Sequence, residues 1–110
     1  MNTMLLDFYG ELLTDKQREC FDLHYNEDLS LSEIAEQCGI SRQGVWDNIR
    51  RAEAAMRGIE EKTGLIRRFS ELEEGLDRLC ESVRELAEIT DGRAGELARA
   101  ALHEIETLRG

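Results

Sequence analysis

Apolar positions recur at helical spacing along the whole chain, and their period changes once. Leu5, Phe8 and Leu12 fall at i, i+3 and i+7, which predicts a short amphipathic helix over about residues 3 to 13. Thr14 heads the stretch TDKQ, where its hydroxyl can accept the backbone N–H of Gln17 while the Gln17 side chain reaches back. That capping box starts a second helix. Cys20, Phe21, His24 and Tyr25 give this helix one buried face, and Asn26, Glu27 and Asp28 end it in a polar turn. Ser30 and Glu33 form a second capping box and Leu29 can staple onto Ile34, so a helix of about two turns is predicted from Leu31 to Cys38. Gly39 supplies the left-handed residue that closes it. Ser41 then caps a new helix, with Ile40 and Val45 as its staple, while Gly44 stands where a capping box would place Glu or Gln. Two helices joined by a three-residue turn containing glycine are the signature of a helix-turn-helix.

The helix that begins at Arg42 divides its residues by face. At 100° per residue, Ile49, Ala52 and Met56 lie within about 40° of Val45, whereas Gln43, Asp47, Arg50 and Ala54 lie opposite. Trp46 and Arg57 flank that outer face. Val45 and Ile49 are therefore expected to lock the helix onto its neighbours, and the outer residues are left for another purpose. Arg42, in the first turn, sits beside the positive end of the helix dipole, where backbone N–H groups commonly meet phosphate.

Past Gly64 the period tightens. Leu65, Phe69, Leu72, Leu76, Leu79, Val83 and Leu86 are spaced alternately by four and three residues, a heptad seam. Thr90, Asp91 and Gly92 make a turn, and Ala94, Ala98, Ala101, Ile105 and Leu108 repeat the spacing. The expected architecture is an all-α protein. A helix-turn-helix domain over residues 1–63 is followed by a helical extension over 64–110 that ends in a hairpin with a small alanine face. A seam so long has too little core of its own, which predicts packing on another chain or on the first domain, with a homodimer as the favoured form.

Composition agrees and narrows the function. One hundred and ten residues make a single modest core, and the absence of proline with only 5% aromatics suits helices. Cys20, Cys38 and Cys80 lie 18 and 42 residues apart, too far for a zinc knuckle or a redox CxxC, so reduced thiols and a cytoplasmic location are expected. Asp7 and Glu11 interrupt the apolar N-terminal stretch, which lacks a basic lead-in, so no signal peptide is expected; nor is any apolar run long enough to span a membrane. His24 and His103 have no Cys or His partners at ligand spacing, the acidic pairs Glu60–Glu61 and Glu73–Glu74 sit on polar faces, and no phosphate-cradling glycine loop is present. Neither enzyme, metal nor cofactor is expected.

Charge is the obstacle to a nucleic-acid reading. The net value is −10, with −6 on residues 1–63 and −4 on 64–110, yet residues 41–57 carry four arginines against Asp47 and Glu53, a local +2. The candidate nucleic-acid contacts are Ser41, Arg42, Gln43, Trp46, Asp47, Arg50, Arg51 and Arg57. Glutamine suits adenine, arginine suits guanine or phosphate, and aspartate can accept from cytosine. The plainer alternative is a solvated helix face. On that reading Trp46 covers the edge of the core, and the arginines form intrahelical pairs, Asp47 with Arg50 or Arg51 and Glu53 with Arg57.

The stretch LSEIAEQCGISRQGVWDNIRRAEAAM is similar to the region-4 helix-turn-helix of bacterial sigma factors, in the spacing of Ala35, Gly39 and Val45 and in the continuation Ile49, Arg51, Ala52. The wider segment from Leu5 to Glu53 resembles more closely the YlxM-like family of small bacterial helix-turn-helix proteins, through DFY, LLTDKQ, SLSEIAE and SRQGVWDNIRRAE. His24, Gly44 and Trp46 depart from the residues common there (Tyr, Ala and Tyr). The resemblance implies an all-helical regulatory protein that acts beside the signal recognition particle. Two readings therefore stand: a nucleic-acid binder with DNA or RNA as partner, and an acidic module that docks on a basic protein such as a component of that particle. The arginines of residues 42–57 favour the first, and the net charge favours the second.

Overall fold

Thr14, Ser30 and Ser41 each head a helix in the computed structural model, which describes all 110 residues. The order is α1 (Asn2–Tyr9), α2 (Asp15–Tyr25), α3 (Leu31–Cys38), α4 (Arg42–Thr63), α5 (Leu65–Ile89) and α6 (Gly92–Arg109), with no strand. Both capping boxes form. Gln17 N–H donates to Thr14 Oγ1 at 3.2 Å and Glu33 N–H to Ser30 Oγ at 3.1 Å, and each partner carboxamide or carboxylate returns a bond to the capping residue's own N–H. Ser41 caps α4 by accepting the Gly44 N–H at 3.0 Å. Gly39 closes α3 in the left-handed region, at φ 69°, and Ile40 N–H reaches back to the Ala35 carbonyl at 3.2 Å.

The first expected helix is shorter than its apolar spacing implies. α1 ends at Tyr9 and the chain continues as one 3₁₀ turn, Gly10–Leu12. Gly10 packs so closely on Leu6 that a Cβ there would meet Leu6 Cδ1 at 3.1 Å. Tyr9 is held by distant partners: its hydroxyl donates to Glu60 Oε1 at 2.6 Å, leaving its oxygen to accept from the Thr63 hydroxyl at 2.7 Å. The same Glu60 oxygen accepts the Ile66 N–H at 3.0 Å, so one carboxylate ties α1, the end of α4 and the first turn of α5. Burial, then the Glu60 bond, raise the phenol above its ordinary value.

Two compact units result, Met1–Ile66 and Arg67–Gly110. The core of the first is Leu5, Leu6, Tyr9, Cys20, Phe21, Ile34, Ala35, Val45, Ile49, Ala52, Met56 and Ile66. Val45, Ile49, Ala52 and Met56 are all fully buried, the inward face that their spacing predicts. Ile66 completes this core from α5, which is why the unit extends past the turn at Gly64. His24 is satisfied within it, its Nδ1 lying 3.2 Å from the Leu29 carbonyl.

The second unit is the α5–α6 hairpin, tied by Arg109 to Asp77 at 2.5 Å and to Glu73 at 3.4 Å, and by Arg84 to Glu106 at 3.8 Å. On α5 the heptad seam faces inward only in part, with Leu76 and Val83 half-buried. Cys80, Ala98 and Ile105 are the buried apolar side chains, whereas Leu72, Leu79 and Leu86 remain exposed. Of the three thiols, all free, Cys20 and Cys80 are buried and Cys38 is half-buried.

Candidate nucleic-acid interface

Helices α3 and α4 form the helix-turn-helix. Its turn, Gly39–Ile40–Ser41, is fixed by the left-handed glycine, by Ile40 packing against the core and by the Ser41 cap. Because Val45, Ile49, Ala52 and Met56 anchor α4, the opposite side of the helix is presented outward.

Arg42, Trp46, Arg50, Glu53 and Arg57 fall within an arc of about 80° on α4 and make one ridge. Trp46, 38% exposed, stands at its centre. On one side lies an open depression of about 560 Å³ lined by Leu31, Arg42, Gln43 and Trp46. On the other lies a second, of about 380 Å³, lined by Trp46, Arg50, Glu53, Ala54 and Arg57. The indole is the wall they share.

Each polar group on the ridge is already oriented. Arg42 Nη1 donates to Ser32 Oγ at 3.4 Å, which leans it toward the first turn of α3. Gln43 Nε2 donates to Asp47 Oδ1 at 3.0 Å, so the amide and the carboxylate engage each other along the helix. The Arg50 guanidinium lies over the Trp46 ring, its carbon 5.7 Å from the centroid. Arg57 is paired with Glu53 at 2.9 Å and also donates to Asn2 Oδ1 at 3.4 Å. Arg51 falls about 140° from Trp46 around α4 and does not join the ridge. Ser41 lies at its end, occupied as the cap.

Of the expected contacts, then, Arg42, Gln43, Trp46, Arg50 and Arg57 are brought together, with Asp47 held through Gln43. Leu31, Ser32 and Asn2 come from other elements and carry no sequence signal, since only the fold places α1 and the start of α3 beside α4. The ridge is cationic and aromatic, crossed by the carboxylates of Glu53 and Asp47. No group of three or more His, Cys, Asp or Glu side chains is placed to hold a metal, and no helix is long and apolar enough to cross a membrane.

Fold and site together define a small all-α helix-turn-helix protein. Over residues 1–94 the chain matches the family described as "Putative helix-turn-helix protein, YlxM / p13 like", UPF0122, and it belongs to that family. This is a family of helix-turn-helix proteins, not of enzymes. The chain is similar to a UPF0122 protein of Thermoanaerobacter sp. (strain X514), 49% identical over 86 residues, 78% of this chain and 74% of that one. It is also similar to one from Halalkalibacterium halodurans, 43% identical over 104 residues and covering 94% and 90% of the two chains. A third, from Acetivibrio thermocellus, is 58% identical over 66 residues, 60% of this chain and 56% of that one. Membership accords with the resemblance that the SRQGVWDN stretch carries.

Proposed function

We propose that this protein is a nucleic-acid-binding regulator that uses the α4 ridge, with Arg42, Gln43, Trp46 and Arg50 as its principal contacts and Ser41, Asp47 and Arg57 around them. The observation that carries the reading is the grouping of Arg42, Trp46, Arg50 and Arg57 around two open depressions on the outward face of a helix-turn-helix. Arg42 suits a phosphate beside a helix N-terminus, and Arg50, held by the indole, suits a base edge or a stacked base. The extension over residues 64–110 serves as the dimerisation element of a cytoplasmic homodimer. Its place in the cell, on the family resemblance, is beside the signal recognition particle.

A specific observation favours the second reading: Glu53 neutralises Arg57 and Asp47 lies in the presented face of a chain with net charge −10. An acidic module steered to a basic protein would look like this. Fluorescence anisotropy titrations against random duplex DNA, the signal recognition particle RNA and the protein component of that particle separate the two. Affinity for a nucleic acid that falls steeply with salt is the expected result. Affinity for the protein alone would retire the nucleic-acid reading.

A further inference from the structure

The C-terminal hairpin has two unlike sides. Cys80 on α5 and Ala98 on α6, each 5% exposed, mark the direction in which the helices face each other. From that line, at 100° per residue, Asp77 and Arg84 turn one way around α5 by about 40–60°, and Glu106 turns the same way around α6 by about 80°. Because the helices run antiparallel, equal senses of rotation lead to the same side of the hairpin, and the 3.8 Å contact of Arg84 with Glu106 bears that out.

Leu72, Leu79 and Leu86 turn the opposite way by about 80–120°, and Leu97, Ala101 and Leu108 do so by about 60–100°. These six side chains share the other side. The leucines are exposed there by 60, 50, 47, 53 and 80% in chain order. Three leucines of the α5 heptad seam thus converge with Leu97, Ala101 and Leu108 of α6 on one apolar face, turned away from the ion pairs.

We propose that this face is where a second copy of the chain docks, so that two hairpins close a four-helix bundle. The inference rests on the homodimer reading and adds the surface. Three observations choose this occupant. Leu72, Leu79 and Leu86 recur every seven residues, as one row of a coiled-coil seam does, which is a spacing that helices, and not loops or strands, fill by knobs-into-holes packing. The face is two helices wide; with axes 8–10 Å apart and about 18 residues of overlap, it approaches the scale of ~800 Å² per partner that a stable dimer buries. A single docked helix would cover about half of it. Its exposed leucines call for an equally apolar surface, which a second copy presents, while the ion pairs of both copies stay on the outer sides.

Sedimentation equilibrium of the full chain over micromolar concentrations tests this, with circular dichroism to confirm helical content. The wild type is expected to be a dimer. The double substitution Leu79→Gln with Leu97→Gln is expected to raise the dimer dissociation constant at least 100-fold, and Leu79→Ala with Leu97→Ala at least tenfold, which keeps the test open should the polar pair impair folding. Arg84→Gln, on the opposite side, is expected to leave the constant within threefold. A wild-type dimer that both leucine pairs leave intact would overturn the docking face alone. A monomeric wild type would overturn the homodimer reading and the face with it.

Discussion

The Arg50 guanidinium rests over the Trp46 indole, its carbon 5.7 Å from the ring centroid, on the open side of α4. An exposed cation–π contact of this kind contributes ~0.5–1 kcal/mol, too little to explain an aromatic and an arginine at the crest of the outward ridge by stability alone. What it does is restrict the arginine before a ligand arrives. Arg50→Ala is therefore expected to weaken nucleic-acid binding by ~1–3 kcal/mol and to relax preference at one base position. The urea midpoint should move far less. Anisotropy with a panel of single-base variants measures the first effect, and an unchanged affinity across the panel would remove Arg50 from the interface.

Asp47 accepts a hydrogen bond from Gln43 Nε2 at 3.0 Å, and asparagine retains an oxygen that can do the same. Asp47→Asn thus removes a negative charge with little disturbance of the local geometry. Affinity for random duplex DNA should rise, because the face must approach phosphates. Were the ridge to dock on a basic protein instead, the same substitution would weaken that complex, so the sign of the change distinguishes the partners.

The helix starts are legible in the sequence because capping is local chemistry: Thr14 with Gln17 and Ser30 with Glu33 are each three residues apart and need nothing else. The inward face of α4 is legible for the same reason, since periodicity is a property of one helix. The end of α1 is not, because Tyr9 answers to Glu60, 51 residues away. The inner line of the hairpin is legible on one side only: the α6 spacing contains Ala98 and Ile105, which are buried, whereas the α5 seam passes over Cys80, which is buried while Leu79 beside it is exposed. At the candidate interface the list of arginines is legible and their distribution is not. Arg42 leans on Ser32 and Arg57 on Glu53 and Asn2, and two of those three partners lie in other elements.

Tyr9→Phe deletes the donor to Glu60 and the acceptor for Thr63 and leaves the ring in place. The lost bonds, one of them to a carboxylate, should cost ~1–3 kcal/mol in the first unit. Urea unfolding followed by far-ultraviolet circular dichroism reads this directly. A stability equal to wild type would mean that water replaces the phenol at Glu60 without loss.

Burial pushes the Cys20 thiol up to about 11 from 9.0, and Cys38 is raised in the same way, by burial and then by its bond to Glu19. A raised value in the folded state means that the neutral thiol is favoured there. The stability it contributes is complete below pH 9 and is lost as pH rises toward about 11. Tyr9, raised above 10.0, adds to the loss at the upper end of that window. The urea midpoint should accordingly be level from pH 7 to 8.5 and fall between about 9 and 11. Cys20→Ala, though less stable throughout because of the cavity, should show a shallower fall; a slope as steep as wild type would assign the alkaline loss to other groups.

Three glycines in helices should respond to alanine in three ways. At Gly58, inside α4, an added Cβ meets nothing within 4 Å, so Gly58→Ala should gain up to ~1 kcal/mol from helix propensity. At Gly44 the Cβ would stand 3.2 Å from Ser41 Oγ, the atom that caps α4 by accepting the Gly44 N–H. Moving that oxygen weakens the cap, worth ~0.5–2 kcal/mol, so the propensity gain is largely cancelled. At Gly95, near the start of α6, the Cβ would fall 2.6 Å from the Thr90 carbonyl oxygen, a backbone atom of the α5–α6 turn that cannot yield cheaply. Gly95→Ala should destabilise the hairpin by ~1–3 kcal/mol. Thermal unfolding of the three variants should rank Gly58→Ala above Gly44→Ala and both above Gly95→Ala, and a Gly95→Ala protein as stable as wild type would mean that the turn rearranges freely around Thr90.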